Sequence, residues 1–396
     1  MNVRLKMIVT NPVEKSDGEP RPFLGLENLE SRTGRALVVD LPLKAAEDAV
    51  IHRDGDVLFS KLRPYLAKSY LPRREATGTG ELLVLRPGRR INPRFLFYSS
   101  LSQPWVDWAS TTAYGTKMPR TSWELMGEYR IWLPTIDEQR RIADFLDGET
   151  ARIDRLMELM KSQDKLLSSR RRAVLSSVWD PEVQVARLGY FLSLVTSGPR
   201  GWGEYASNEG NLFFRSANLR RDSTEPKLTA VTYVEPPASA LAESTRSAVH
   251  LDDVLVGITG ANTGWVCLAN QEIVGANVSQ HVCLLRPSRF VSGKWLAYLL
   301  SSPAVQDSLL GSQYGGTKTQ LSLPDLRDLK VPIPELRRQK VVADEIQHQI
   351  VAIESERDAR ARQLALLADR RQALITAAVT GQLDVTTARP AHDRDL

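Results

Sequence analysis

Two long stretches of the chain, residues 137–180 and 335–380, carry apolar residues at intervals of seven or multiples of seven. The positions that define the pattern are Leu146, Ile153, Leu167, Val174, Ile346, Ile353, Leu367 and Leu374. Each stretch begins shortly after a proline, Pro134 or Pro334, and opens with acidic side chains, which favours the start of a helix. The spacing therefore predicts two long helices that pack lengthwise through these positions.

Residues 1–136 and 181–334 show a different pattern, in which short apolar runs are separated by glycine and proline. Runs 57–59 and 82–85 predict strands, and residues 95–107 predict a helix. The second region repeats this order. We therefore expect an α/β (α+β) fold with two similar globular domains.

The second half of the chain repeats the first, which indicates an internal duplication. The matching segments include Asp56-Val57-Leu58 with Asp253-Val254-Leu255, Leu85-Arg86-Pro87 with Leu285-Arg286-Pro287, Gly115-Thr116-Lys117 with Gly316-Thr317-Lys318, and Gln139 with Gln339. A duplicated chain predicts pseudo-twofold symmetry, which suits a partner that is itself nearly twofold. Duplex DNA is the leading candidate.

Each predicted helix would be about 60 Å long, and alone it would expose its apolar stripe to water. The simplest arrangement packs the two helices against each other, antiparallel, with the globular domains at opposite ends. In the alternative arrangement each helix folds back on its own globular domain. Residues 381–396 are short and polar and predict a flexible tail.

The charge is distributed unevenly between the two predicted domains. Residues 1–136 hold 20 Lys and Arg against 15 Asp and Glu, whereas residues 181–334 hold 13 of each. The first domain therefore suits a polyanion better, and the second would need local clusters of cations. Cys267 and Cys283 are too few for a disulfide framework or a four-cysteine zinc site and predict packed thiols in a reducing cytoplasm. No apolar run is long enough to span a membrane.

Two polar loops, residues 110–120 and 312–320, combine hydroxyl residues, glycine, one aromatic ring and lysine. Such loops can approach a phosphate backbone closely, while arginine or glutamine reaches the base edges. A basic cluster after residue 60 has an amide-hydroxyl counterpart near residue 260, and a glycine-rich loop spans residues 197–203. The predicted DNA-binding residues are Lys61, Arg63, Lys68, Thr116, Lys117, Arg120, Arg200, Asn262, Thr263, Thr317, Lys318 and Gln320. Each of these could instead belong to a solvated loop.

A catalytic site is not indicated by any motif in the sequence. The glycine-rich loop matches neither a phosphate-binding nor a dinucleotide-binding motif, and the histidines lack metal-ligand spacing. The closest alternative is a magnesium-dependent nuclease, duplicated like the rest of the chain, that would use Asp325 and Asp328. A helical adaptor without a role on DNA is the other alternative. We predict no catalytic, cofactor-binding or metal-binding residues.

The chain resembles the specificity subunits of type I restriction–modification systems over essentially its whole length. The resemblance is carried by residues 115–143, which include Leu-Pro-Thr-Ile-Asp-Glu-Gln-Arg-Arg-Ile-Ala, by the counterpart 331–343, and by the closing stretch 374–381. It implies two target recognition domains, each reading one half of a bipartite DNA site. The implied segments are a first domain at 1–136, a central spacer helix at 137–180, a second domain at 181–334 and a C-terminal spacer helix at 335–380.

The resemblance also implies a set of partners and a non-catalytic role. Two methyltransferase (M) subunits would dock on the spacer helices, and restriction (R) subunits would join them. S-adenosylmethionine, ATP and magnesium would be used by those other chains, with no cofactor in this one. The expected location is the cytoplasm.

Overall fold

The computed structural model describes residues 1–37, 40–311 and 320–385. The strands are β1 Asn2–Arg4, β2 Val9–Thr10, β3 Arg21–Leu24, β4 Leu43–Lys44, β5 Val50–His52, β6 Val57–Ser60, β7 Ser69–Tyr70, β8 Ala76–Gly78, β9 Leu82–Pro87, β10 Arg130–Trp132, β11 Val185–Arg187, β12 Leu192–Ser197, β13 Ala206–Ser207, β14 Asn211–Phe214, β15 Tyr233–Val234, β16 Val254–Gly257, β17 Val266–Leu268, β18 Asn277–Val278, β19 Val282–Pro287 and β20 Lys330–Pro332. The helices are α1 Pro93–Leu101, α2 Gln103–Thr111, α3 Trp123–Met126, α4 Ile136–Ser176, α5 Leu241–Ser247, α6 Gly293–Ser301, α7 Pro303–Gly311, α8 Leu323–Arg327 and α9 Leu336–Val379.

The chain forms two compact units. Unit 1 contains Met1–Lys161 and Arg360–Leu396, and unit 2 contains Ser162–Ala359. The division falls inside α4 and α9, so each unit holds one globular region and a segment of both long helices. The boundaries of the five segments in the sequence analysis stay a prediction.

The first four-stranded sheet has the same topology in both units, whereas the second differs in its outer strand, because β5 pairs with β8 in unit 1 and β13 pairs with β15 in unit 2. In unit 1 the four-stranded sheets have the orders β2-β9-β6-β7 and β4-β3-β8-β5, and in unit 2 the orders are β12-β19-β16-β17 and β13-β15-β14-β18. Val57 pairs with Leu85 and Val254 pairs with Leu285, so the central antiparallel pair has the same register in both units. The predicted α/β (α+β) fold with two similar globular regions is confirmed.

The predicted helix at 95–107 is wrong as a single element, because two helices occupy this part of the chain. Ser102 has an extended backbone with ψ near 150°, which ends α1 and begins α2. Pro104 follows within the first turn of α2, where its missing N–H leaves no hydrogen bond unmade. The repeat makes the same break at Ser302, before Pro303.

Segments of α4 and α9 pack together within each unit. In unit 1 Leu146 shares one core with Ile375 and Val379, and the Arg371 Nε lies 3.0 Å from an oxygen of Asp154. Low numbers on one helix meet high numbers on the other, so the segments are antiparallel. The expected antiparallel pairing is therefore present within unit 1, where the paired segments also pack on the strands and short helices of the globular core.

The same antiparallel pairing occurs in unit 2. Leu167 and Val174 share a core with Ile346 and Ile353. Ile153 is 5% exposed in unit 1, while Leu367 and Leu374 are half-buried there, the latter against the core.

Two repeated polar residues fasten the start of each long helix to its globular region. The side chain of Gln139 donates to the carbonyls of Arg90 and Pro134 and accepts from the Asn92 N–H at 2.7 Å. Gln339 makes the same three bonds, to Phe290, Pro334 and Ser292. Both glutamines are completely buried, which explains why a polar residue is repeated inside an apolar pattern.

Both cysteines are buried and unpaired by disulfides, as expected for packed thiols. Among the described residues, every helix is too short or too polar to cross a membrane.

Candidate nucleic-acid interface

In unit 1 the loop of residues 112–121 pairs with the chain that leaves β6. Leu62 forms a backbone bridge with Arg120, the Arg63 N–H donates to the Pro119 carbonyl at 2.7 Å, and the Thr121 N–H donates to the Lys61 carbonyl at 2.9 Å. Two clusters predicted separately from the sequence therefore lie side by side. We call Lys61, Glu81, Arg63, Lys117 and Arg120 the unit 1 site.

The unit 1 site is rich in cations. Arg63 and Lys117 are exposed, and within the described residues neither makes an ion pair. Arg120 is also exposed and donates to a carboxylate oxygen of Glu81 at 2.6 Å. Burial lowers the pKa of the Lys61 amine, while Glu81 raises it and Arg120 lowers it. The site can therefore offer several donors to one anionic backbone.

Arg63 occupies a backbone conformation that favours glycine. Its φ is +50°, and Ala67 on the same turn has a φ of +47°. The equivalent positions in unit 2 are Gly260 and Gly264, with φ of +79° and +83°. Left-handed conformations cost a residue with a Cβ roughly 1–2 kcal/mol, and such strain concentrates at functional sites. The chain thus keeps an arginine where the geometry alone would select glycine.

The remaining predicted residues of unit 1 differ in their surroundings. Thr116 is exposed at the tip of the loop beside Gly115, whose φ is +98°. Lys68 is half-buried, and its amine donates to the Leu26 carbonyl at 2.6 Å. Part of the hydrogen-bonding capacity of Lys68 is therefore used inside the domain.

Unit 2 repeats the backbone arrangement with different side chains. Thr259 forms the bridge with Gln320, and the Leu321 N–H donates to the Ile258 carbonyl at 2.8 Å. Gln320 is exposed. The predicted contacts Thr317 and Lys318 lie outside the described residues.

The predicted amide-hydroxyl residues of unit 2 mainly hold their own turn. Asn262 donates to the Ser216 carbonyl at 2.7 Å, and the buried Thr263 hydroxyl donates to the Gly260 carbonyl at 2.7 Å. Arg200 is exposed in the glycine-rich loop and makes no ion pair with another described residue. These side chains of Asn262 and Thr263 therefore bond within unit 2.

Four residues of the two sites are absent from those predicted from the sequence: Glu81, Thr259, Gln280 and His281. A ring nitrogen of His281, Nδ1, lies 2.6 Å from the Thr259 hydroxyl, and its Nε2 lies 3.1 Å from the amide nitrogen of Gln280. His281 occupies the position of Glu81, because each immediately precedes the equivalent strand, β19 or β9. Alignment of the two repeats could have identified Glu81 and His281. They are equivalent positions, just as Arg120 and Gln320 are. We call Thr259, Gln280, His281 and Gln320 the unit 2 site.

The carboxylates proposed for a nuclease have structural partners. Asp325 accepts from the Ser322 N–H at 2.7 Å in a capping box at the start of α8. Asp328 lies 3.3 Å from the guanidinium of Arg187. Among residues 1–37, 40–311 and 320–385, no three His, Cys, Asp or Glu side chains come together in a way that could hold a metal ion.

Comparisons with known proteins agree with the resemblance seen in the sequence. Residues 238–364 match the family model of the type I restriction modification DNA specificity domain. The type I restriction enzyme EcoDI specificity subunit of Escherichia coli is 22% identical over 162 residues, which are 40% of this chain and 36% of that protein. The chain thus spans about a third of the length of this curated relative.

Two solved structures share the fold. One is a chain from a study of the complex assembly and conformational transition of the type I R-M system, with 22% identity, a TM-score of 0.77 and coverage of 97% of this chain and 98% of that one. The other is the HsdS subunit from Thermoanaerobacter tengcongensis, with 22% identity, a TM-score of 0.51 and coverage of 97% of both chains. The resemblance to the type I specificity subunits is confirmed by the family model over residues 238–364, and the solved structures show that the fold is shared.

Proposed function

We propose that this chain is the DNA sequence-recognition subunit of a type I restriction–modification complex, and that each unit reads one half of a bipartite DNA site. The observation that carries the proposal is the repeated backbone bridge, Leu62 with Arg120 and Thr259 with Gln320. One scaffold presents different side chains in its two copies, as expected of two readers with different target sequences.

The chemistry of each site supports a DNA ligand. Arg63 and Lys117 can bind phosphate oxygens without giving up an ion pair to another described residue. Arginine pairs best with guanine and glutamine with adenine in the major groove, so Arg120 and Gln320 would favour different bases. Arg120 would exchange its bond to Glu81 for a bond to a base edge.

We extend the proposal to the partners that the family resemblance implies. Two methyltransferase subunits would dock on α4 and α9, whose exposed apolar residues include Leu159, Leu166, Val341, Val351 and Leu366. Apolar side chains exposed along a helix favour a protein partner. Restriction subunits would join the methyltransferases, and S-adenosylmethionine, ATP and magnesium would be bound by those chains. This chain would itself be non-catalytic and cytoplasmic.

The test is co-expression with the methyltransferase subunits of the same host, followed by sequencing of methylated DNA. The expected result is methylation at a split sequence, with none when this chain is omitted. Replacing residues 1–136 with the corresponding region of another specificity subunit should change one half of that sequence. A change in both halves would contradict modular reading.

The lone chain provides the control for the non-catalytic role. It is expected neither to methylate nor to cut DNA in the presence of magnesium and S-adenosylmethionine. Magnesium-dependent cutting that is lost in the Asp325→Asn variant would support the nuclease alternative. Failure of the assembled complex to bind any duplex, even at low salt, would support the adaptor alternative.

A further inference from the structure

Unit 2 contains a cavity of about 510 Å³ beside its proposed reading site. Its lining includes Trp202 and Glu204 from the glycine-rich loop, and Phe213 and Arg215 from the end of β14 and the turn after it. The segment Ser279, Gln280 and His281 completes it. Its volume lies in the range of sites that bind small organic molecules.

The cavity is continuous with the unit 2 site. Gln280 and His281 line the cavity, and His281 is also bonded to Thr259, the residue that forms the bridge with Gln320. The Ile258 N–H donates to the His281 carbonyl at 3.0 Å, which fixes this backbone beside the bridge. A duplex contacted by the unit 2 site would therefore lie next to the cavity.

Two buried polar atoms of the lining have no hydrogen-bond partner within the described part of the chain. They are the Ser279 hydroxyl, on a residue that is 4% exposed, and the Arg215 Nε. Buried polar groups are nearly always bonded, because an unmet donor loses its hydration without compensation. A ligand with acceptor atoms would meet both groups.

The mixture of groups selects the chemical class of that ligand. Trp202 and Phe213 line the cavity but are only 2% and 6% exposed, so they give it an apolar base rather than an open aromatic face. Glu204 disfavours a phosphate, while Arg215, Ser279 and Gln280 together supply donors and acceptors. A flat, neutral heterocycle with both donors and acceptors fits this set, and the nucleobases have that chemistry.

Unit 1 has no equivalent of the cation. Arg215 occupies the position of Gly25, because the N–H of each is bonded to an asparagine side chain three residues later, at 2.9 and 2.8 Å. Ser279 likewise occupies the position of Thr79, since each N–H donates to the equivalent carbonyl, Phe214 or Leu24. The guanidinium is thus specific to unit 2.

We propose that this cavity binds one nucleobase of the half-site read by unit 2, taken out of the base stack. The inference rests on the proposed function. Extruding a base costs its stacking and pairing energy, which is smallest at a mispair. A mispair at the extruded position should therefore increase affinity.

The experiment uses the complex with its methyltransferase subunits and duplexes that carry a single mispair at each position of the half-site in turn. For the wild type, we expect one position outside the methylated bases at which the mispair increases affinity about tenfold. Ser279→Ala and Arg215→Met should each abolish this gain. Neither substitution removes a side-chain bond to Ser279 Oγ or Arg215 Nε, so the fold should persist, and thermal unfolding checks this.

Arg289→Met is the matched control. Arg289 is an exposed arginine that follows the far end of β19, about 20 Å along the strand from His281. The Arg289→Met variant should keep the full increase in affinity that the mispair causes in the wild type. The methylated bases form an internal control, because methyltransferases extrude their own target base. The increase in affinity from a mispair at those bases should therefore survive in every variant.

The outcomes separate this inference from the proposed function. If the wild type binds its split site specifically but no mispair gain depends on Arg215 and Ser279, the base-binding inference is wrong and the reading function stands. If no split site is bound at all, the proposed function itself fails. Titration of the lone chain with adenosine, guanosine, cytidine and thymidine tests a soluble source. Binding of a nucleoside in the absence of any mispair gain would overturn the assignment to a base of DNA.

Discussion

At the scale of single residues, the clearest sign of function is an arginine in a backbone conformation that is unfavourable for any residue with a Cβ. Arg63 has a φ of +50°, where unit 2 has Gly260. An exposed arginine contributes little to folding in this position, since it makes no ion pair with another described residue. Retention of the cation is consistent with a contact made outside the chain.

Replacement of Arg63 by glycine should separate binding from stability. Relief of left-handed strain gains about 1 kcal/mol, and the added freedom of the unfolded chain costs roughly as much, so unfolding should hardly change. Affinity of the assembled complex for DNA should fall about tenfold, with the slope of log affinity against log salt reduced by about one. Ala67→Gly relieves the same strain on the same turn and should leave both quantities unchanged. An Arg63→Gly variant with the wild-type salt slope would refute a phosphate contact.

A second residue-scale prediction concerns His52, which is 1% exposed on β5. Burial lowers its pKa to about 4, and the nearby Asp56 opposes this only in part. The unfolded state therefore binds the proton more tightly than the folded state does. The free energy of unfolding is therefore unaffected by the protonation of His52 above the ordinary pKa of about 6.5. It decreases as the pH falls from 6.5 toward 4, by about 3 kcal/mol in total.

Urea unfolding of wild type and His52→Gln at several pH values between 4 and 7 measures this contribution. The difference in unfolding free energy between the two proteins should change across this window, whatever their absolute stabilities. A difference that is constant with pH would show that His52 does not titrate in this way.

At the scale of elements, the repeated glutamines show how polar residues position the long helices. Gln139 satisfies one N–H and two carbonyls near the start of α4, and Gln339 does the same for α9. The repeat marked both residues in the sequence. Their role could not be derived there, because it depends on a turn some fifty residues away along the chain, at positions 90 and 92.

The Gln139→Leu variant should therefore be strongly destabilised. It leaves the Asn92 N–H and two carbonyls without their buried partner, at a cost of about 2–4 kcal/mol. Gln163→Leu, at an exposed position on the same helix, should stay within about 0.5 kcal/mol of wild type. Equal effects of the two substitutions in urea unfolding would show that Gln139 does not hold the start of α4 on the globular region.

The paired helices allow a graded test at three positions in unit 1. Ile153 is 5% exposed, Leu367 is half-buried, and Leu159 is 54% exposed. Aspartate at position 153 buries an unpaired charge and should cost more than 3 kcal/mol or prevent soluble expression. Leu367→Asp should have a smaller effect and Leu159→Asp almost none. Any other order, measured by thermal unfolding, would contradict the packing of this seam.

At the scale of the whole molecule, the duplication made most of the fold predictable. Heptad spacing and proline starts located α4 and α9, and short continuous apolar runs bounded by glycine and proline located β6, β9 and their counterparts. The chemistry of the sites was only partly predictable. Glu81 and His281 were missed because their role arises from long-range pairing with Arg120 and Thr259, and local hydrogen bonds that hold Asn262 and Thr263 in their turn leave no trace in the sequence.

The difference between the two units predicts two kinds of binding within one protein. Region 1–136 has a net charge of +5, from 20 cations and 15 anions, and its site is cationic, whereas region 181–334 is neutral and its described site consists of a hydroxyl, amides and an imidazole. Lys117→Ala should therefore weaken binding of the complex to all duplexes alike and reduce the salt slope by about one. Gln320→Ala should leave the slope unchanged and reduce discrimination at one base pair by about 1–3 kcal/mol. Binding measured between 50 and 200 mM salt, on matched and singly substituted sites, distinguishes these effects. If Lys117 controlled base preference and Gln320 controlled the salt slope, the assignment of a phosphate contact to Lys117 and of a base contact to Gln320 would be wrong.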